Sequence, residues 1–356
     1  FVFLEISSLS AYTLISLGRD RRALTAAFTY LVLGTIGASF ILIGTGLVYQ
    51  MTGTLNMADL AERLPAVLGT RTIRMAFGFL VVGTSIKLAV FPLHQWLPNA
   101  YTFAPSVVSA FLSATATKVA YYFLVRVIFT LFGVAFVFET MELSSILLPL
   151  SLAAMFVGSI AAIYQTDLKR LLAYSSVAQI GYMTLGLSMA NATGLTGGLL
   201  HLFNHALIKG GLFLVAACVV FRVGSSTISD LRGLARRMPL TTAAFVVGGL
   251  GLVGVPGTVG FISKWYLVLG ALERSSYWVA FLILVSSLLA AVYVWRVVEV
   301  MISEAPEEGG ARADAPAPML FPTWILIGAT VFFGLHAEWS VSVASTAANQ
   351  LFGGAR

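Results

Sequence analysis

The 356-residue chain is 58% hydrophobic and only 10% charged, with a mean hydropathy of +0.92. A water-soluble domain does not reach that apolar content, and the unbroken apolar runs lack the period-two alternation of a membrane β-barrel. The formal charge of +6 comes largely from arginines scattered over short loops, which argues against a nucleic-acid patch and for membrane topology.

The fold class expected is an all-α polytopic membrane protein, and at about 20 residues per span the length accommodates about ten transmembrane helices. The first is predicted over residues 1–17 and is closed by the basic turn GRDRR at 18–22. The second covers 25–49, and the more polar stretch 52–72 reads as a surface connection with a short amphipathic helix. The third, 73–90, is interrupted before Pro92, with Pro98 and Pro105 following, and the fourth covers 106–132. Residues 146–164 and 171–189 form the fifth and sixth, separated by QTDLKR, and 195–220 the seventh. An arginine-bearing polar loop at 222–239 leads to a long eighth span, 241–272, which has its own break at Gly254-Val255-Pro256-Gly257. The ninth covers 277–301, an acidic Pro- and Ala-rich stretch at 303–318 is expected to be flexible, and the tenth covers 319–335. Residues 337–356 are expected to lie on the surface as an amphipathic helix. Because the chain opens at Phe1 inside an apolar segment, with no signal-peptide pattern, it reads as lacking an N-terminal part.

Loop charge gives an orientation. Arg19, Arg21, Arg22, Lys169, Arg170, Arg222, Arg232, Arg236, Arg237 and Arg312 fall on one side, against Arg63, Arg71, Arg74 and Arg274 on the other. The positive-inside rule then places the first group in the cytoplasm.

The two broken spans, each with a lysine near its break, are five helices apart and therefore run in opposite senses, the footprint of inverted repeats. The organisation expected is a first repeat over 1–132, truncated at its start, a second inverted repeat over 133–301, and a linker, last span and tail over 302–356. A five-helix first repeat would lack one helix, so the missing start is expected to hold at least that one.

Four of the five lysines, Lys87, Lys118, Lys209 and Lys264, lie in apolar spans, whereas arginine supplies nearly all loop charge. A charge at the bilayer centre costs about 2.5 to 3.5 kcal/mol, and lysine, unlike arginine, can change protonation when desolvated. Four such residues suggest a charge path; the competing explanations are snorkelling to the interface and ion pairs that fix packing. Glu5 in the first span needs a partner on another helix, and Lys87 is the candidate. His201, His205 and Lys209 are spaced i, i+4 and i+8, so they share one helix face, and imidazole exchanges protons near neutral pH. Histidines at that spacing can also chelate, but no acidic ligand accompanies them on that span, and no metal is expected. His94, at the break between Pro92 and Pro98, reads equally as a relay or a capping group, and Cys218 as packing. Two charges about 10 Å apart at an effective dielectric near 20 interact by about 1.7 kcal/mol, enough to couple neighbours in a row. Nucleotide, CxxC and haem motifs are missing, so neither a cofactor nor an active site of its own is expected.

The segments IKLAVFPLHQWLPNAYTFAPSVVSAFLSATATKVAYYFLVR, TDLKRLLAYSSVAQIGYM, HLFNHALIKGGLFL and GVPGTVGFISKWYLV resemble the proton-conducting antiporter-like subunits. These include the N, M and L subunits of respiratory complex I, the A and D subunits of Mrp sodium/proton antiporters, and related hydrogenase subunits. The resemblance implies helices five to fourteen of a fourteen-helix fold built on two inverted five-helix repeats. It also implies a proton path through Glu5, Lys87, Lys118, the relay His201, His205 and Lys209, and Lys264, with Pro92, Pro98, Pro256 and Gly257 at the helix breaks. Lysine at 264 favours an N-, L- or D-like member over the M type, and HxxxHxxxK resembles Mrp D and hydrogenase-type members more than the N subunit. The partners implied are other membrane subunits, the bilayer and protons, with sodium left open and no nucleic acid. Alternatives are a structural membrane subunit that does not conduct, against which the intact charges argue, and a stand-alone solute transporter.

Overall fold

The computed structural model describes residues 1–18, 20–303 and 313–353; Arg19, Arg312 and most of the acidic 303–318 segment lie outside the described residues. Among them the fold is helical, with one isolated β-bridge between Asp167 and Thr227. In chain order the helices are α1 (Val2–Ser16), α2 (Arg21–Thr52), α3 (Met57–Arg63), α4 (Arg71–Leu88), α5 (Trp96–Phe103), α6 (Ser106–Val125), α7 (Leu143–Ile163) and α8 (Leu168–Ser188). They continue with α9 (Ala192–Val223), α10 (Leu234–Arg237), α11 (Pro239–Val253), α12 (Val259–Glu273), α13 (Tyr277–Ile302), α14 (Ala317–Leu335) and α15 (Glu338–Gly353).

Side-chain caps and positive-φ glycines set several boundaries. Asp20 accepts from the Arg22 N–H and Gly53 closes the other end at φ 71°, so α2 is longer at both ends than the apolar run alone suggests. Asn191 and Gly224 do the same for α9, which is 32 residues long. Asp167 caps α8 through the Arg170 N–H. The fourth span runs to Phe132 as expected, but its last part, Arg126–Phe132, widens into a π-helix. The 222–239 connection is less of a free loop than its polarity suggests: it contains a 3₁₀ turn and α10, anchored by buried Ile228, Leu231 and Leu234.

Both helix breaks are present. Helix α4 ends where Ala89 turns to φ 62°, and α5 starts at Trp96, whose indole N–H donates 2.8 Å to the Ile86 carbonyl. The second break runs through Gly254 at φ 85° and Gly257 at φ 87°, with Pro256 between them, before α12 begins. Pro98, expected at a break, instead lies in the first turn of α5, where a missing N–H costs nothing because it has no intrahelical acceptor.

Helices α8 and α9 form the centre. Nearly every residue of α8 is buried although it carries Lys169, Ser175, Ser176, Gln179, Thr184 and Ser188, so its partners are other helices rather than lipid. The two approach closely at Gly186, where a Cβ would meet the Gly194 carbonyl at 2.5 Å. Outward-facing Phe28, Tyr122, Phe281, Leu288 and Phe321 give the bundle an apolar surface. Among the described residues, six helices are by themselves long and apolar enough to cross a membrane. Tail helix α15 packs small residues Ser340, Ala344 and Ala348 inward and exposes the apolar Trp339 and Val343.

Candidate functional site

The lysine beside the first break sits in the last turn of α4. Lys87 Nζ lies 2.7 Å from Glu5 Oε1 on α1 and donates 2.8 Å to Ser8 Oγ, one turn further along the same helix. The Lys87 side chain is 8% exposed and that of Glu5 23%, so the ion pair forms inside the bundle and the partner expected for Glu5 is the one it meets.

Lys118, in the middle of α6, is buried and hydrogen-bonds the Ser113 carbonyl of its own helix, with Thr117 Oγ1 at 3.4 Å. Its ammonium lies within electrostatic reach of His201, His205 and Lys209 on α9. These three share one face, as their spacing requires, and the two imidazoles stack with centroids 6.2 Å apart. His201 is tied at both nitrogens, Nδ1 to Ser263 Oγ and Nε2 to Gln179 Oε1, each at 2.9 Å. Neither nitrogen of the buried His205 has a partner among the described residues. Lys209 donates to the Leu172 carbonyl at 2.8 Å and to Ser175 Oγ at 2.5 Å, both on α8.

Lys264, on α12, reaches back across the second break. Its ammonium donates to the carbonyls of Leu252 at 3.0 Å and Val253 at 2.9 Å, the C-terminal end of α11, and to Ser287 Oγ at 3.0 Å. It also lies 4.7 Å over the Tyr182 ring. A helix broken inside the bundle leaves carbonyls without intrahelical donors, and a cation is their natural partner. Gly260 lets α12 come close enough: a Cβ there would overlap the Gly251 carbonyl oxygen.

The structure therefore brings Lys118, His201, His205, Lys209 and Lys264 into one buried polar row, with the Glu5–Lys87 pair in the other half of the bundle. His94 is half-buried, stacked on Phe91 at 5.2 Å and beside the Pro92 backbone at the first break, outside the row. Cys218 is buried with Sγ 3.9 Å from Thr323 Oγ1, a packing position. No group of three potential metal ligands occurs among the described residues, and both nitrogens of His201 are already engaged. Sequence reasoning missed the groups that join the row, Ser175, Gln179, Tyr182, Ser263 and Ser287, and placed Lys169 in a surface loop although it is buried. The available signal was the polarity of α8, high for a helix of an apolar bundle.

A cavity of about 200 Å³ opens at the ends of α7, α8, α12 and α13, lined by Ser144, Ser188, Arg274, Ser276 and Trp278 among others. Along α12, Leu267 stands between that cavity's Ala271 and Lys264, within an apolar cluster that includes Leu185 and Ile283.

Comparison with known proteins places this geometry in a family. Residues 1–290 match the family model described as NADH:quinone oxidoreductase/Mrp antiporter, TM. The chain is 46% identical to the N subunit of NADH-quinone oxidoreductase of Desulforudis audaxviator, covering 96% of this chain and 70% of that protein. It is 28% identical to the D subunit of the Na⁺/H⁺ antiporter of Bacillus subtilis, covering 99% and 71%. Among solved structures, a chain of the Mrp complex from Dietzia superposes with a TM-score of 0.89 at 25% identity, over 99% of this chain and 73% of that one. A chain of respiratory complex I from Thermus thermophilus does so with a TM-score of 0.76 at 30% identity, over 96% and 73%. Most of the chain matches the model, and a close relative aligns over nearly all of it: this integral membrane protein belongs to the NADH:quinone oxidoreductase/Mrp antiporter transmembrane family.

Proposed function

We propose that this chain is a proton-translocating, antiporter-like membrane subunit of a multi-subunit complex. The observation that carries the proposal is the buried row of Lys118, His205, His201, Lys209 and Lys264 together with the Glu5–Lys87 pair, charges too costly in an apolar bundle to stand there without use. Glu5 stabilises a charged Lys87; when the pair weakens, the Lys87 proton passes to Lys118 and through the α9 relay toward Lys264, which exchanges with the opposite side. Each transfer leaves an amine or a neutral imidazole behind and involves no electrons. The driving event comes from partner membrane subunits, as a redox reaction or an opposing cation flux, and the chain has no active site of its own.

Identity favours the quinone-oxidoreductase type, with 46% to an N-type relative against 28% to a D-type antiporter relative. The bacterial relatives favour the bacterial cytoplasmic membrane as its location. We assign the first repeat to 1–132, the second to 133–301, and the linker, last span and tail to 302–356. The test is proton uptake by vesicles carrying the native complex, with Lys118→Ala and Lys264→Ala variants checked for assembly. Loss of uptake in assembled variants supports the reading, and normal uptake overturns it.

A further inference from the structure

Lys169 reads from sequence as one more charge of a surface loop, yet it is 5% exposed, and its ammonium donates 2.6 Å to the carbonyl of Ala104, the residue that closes α5. From there a succession of groups along α8 touches the buried row. The Leu172 carbonyl and Ser175 Oγ receive Lys209, Gln179 Oε1 meets His201, and Tyr182 lies under Lys264 with its hydroxyl 3.4 Å from Ser287 Oγ. At about 100° per residue, positions 169, 172, 175, 179 and 182 fall within an arc of about 140°, so they form one face of one helix. Every member of the row on α9 and α12 that hydrogen-bonds α8 does so on this face. Tyr293 on α13, fully buried, faces the same stretch at Ser175 and Gln179.

Lys169 is the position where this face meets the end of the bundle that carries most of the arginines. Beside it are Asp167, which caps α8 and lies within electrostatic reach, and Arg170. Deeper along the axis, Ser175 is about 9 Å away at 1.5 Å per residue, a separation within the sweep of two flexible four-carbon stems, those of Lys169 and Lys209.

We propose that Lys169 is the port through which the second half of the charge row exchanges protons with the arginine-rich face, Ser175 passing them between Lys169 and Lys209. Ser175 Oγ accepts the proton released as the Lys169 ammonium becomes an amine while its own hydroxyl proton passes to the Lys209 amine, which becomes an ammonium, and the reverse transfer restores both. This inference rests on the row being a proton route. A structural role for Lys169 is also chemically available, since a cation at the end of α5 stabilises its carbonyls. The two roles separate in Lys169→Arg, because arginine keeps the charge and the donor but does not release its proton.

The experiment is proton uptake by vesicles carrying the assembled complex, comparing Lys169→Arg and Ser175→Ala with wild type and with Lys264→Ala, each checked for assembly and thermal stability. A port predicts that Lys169→Arg assembles with near-normal stability and loses uptake by about tenfold or more. Wild-type uptake by Lys169→Arg, with Lys264→Ala inactive, overturns the port and leaves Lys169 as a cap. If Lys169→Arg fails to assemble, Ser175→Ala decides: reduced uptake supports the port and normal uptake overturns it. Normal uptake by Lys264→Ala overturns the underlying route instead.

Discussion

Removing the carboxylate of Glu5 while keeping its shape, as Glu5→Gln does, tests whether the first ion pair drives transport or merely fixes packing. The pair is 2.7 Å apart with both side chains largely inside the bundle, and Ser8 supplies the other hydrogen bond to Lys87. Opposite charges about 4 Å apart at an effective dielectric near 20 attract by about 4 kcal/mol. The partial exposure of Glu5 and the surviving Ser8 bond reduce the loss to about 3 kcal/mol, and at about 1.4 kcal/mol per decade that is roughly a hundredfold in any equilibrium requiring a charged Lys87. The expected result is an assembled complex whose vesicle proton uptake falls by as much as about a hundredfold. Lys87→Met should fall comparably, and the double variant should be no worse than either single, because two groups acting as a unit are not additive. Normal uptake in assembled Glu5→Gln, or losses that multiply in the double variant, would refute the reasoning.

Three further outcomes follow from the same geometry. His205→Leu leaves no partner unsatisfied, so thermal stability should change by no more than about 1 kcal/mol while uptake falls by about tenfold or more; His201→Leu should cost about 1–3 kcal/mol for the Gln179 oxygen it strands, while Ser263 keeps its bond to the Gly260 carbonyl. Gly260→Ala drives a Cβ into the Gly251 carbonyl, which should cost about 1–3 kcal/mol in thermal denaturation and disturb the Leu252 and Val253 carbonyls that hold Lys264. Outside the membrane, the Asp20 carboxyl is held below its ordinary value of 3.8 by hydrogen bonds from Arg22, side chain first and backbone second. A depressed carboxyl contributes stability that is present above its unfolded value and is lost as pH falls through the folded one. The melting temperature of wild type should therefore exceed that of Asp20→Asn at neutral pH, and the difference should close below about pH 4.

The apolar runs made the spans legible, and Pro92 and Gly254-Val255-Pro256-Gly257 made the two breaks legible, because burial in lipid and the loss of a backbone donor act locally. The Glu5–Lys87 contact could be named in advance because few anions lie in the spans. What stayed hidden depends on which helix faces which. Ser175, Gln179 and Ser287 are ordinary residues until α9 and α12 are laid against α8 and α13, and the burial of Lys169 arises from the α5–α6 junction lying over the start of α8. The π-helix at Arg126–Phe132 left no signature, since its residues suit an α-helix equally well.

The two halves hold their lysines by different means, and the difference bears on direction. Lys87 faces a full negative charge, whereas among the described residues Lys264 meets dipoles: two carbonyls at the end of α11, a serine hydroxyl and an aromatic face. The carbonyl end of a helix is equivalent to roughly half an elementary charge, so a comparable approach gives Lys264 about half the attraction that Glu5 gives Lys87. Motion that separates α1 from α4 therefore changes the energy of the first lysine by more than a similar motion at the second break changes Lys264. A row stabilised strongly and adjustably at one end and weakly at the other is biased by whatever moves α1.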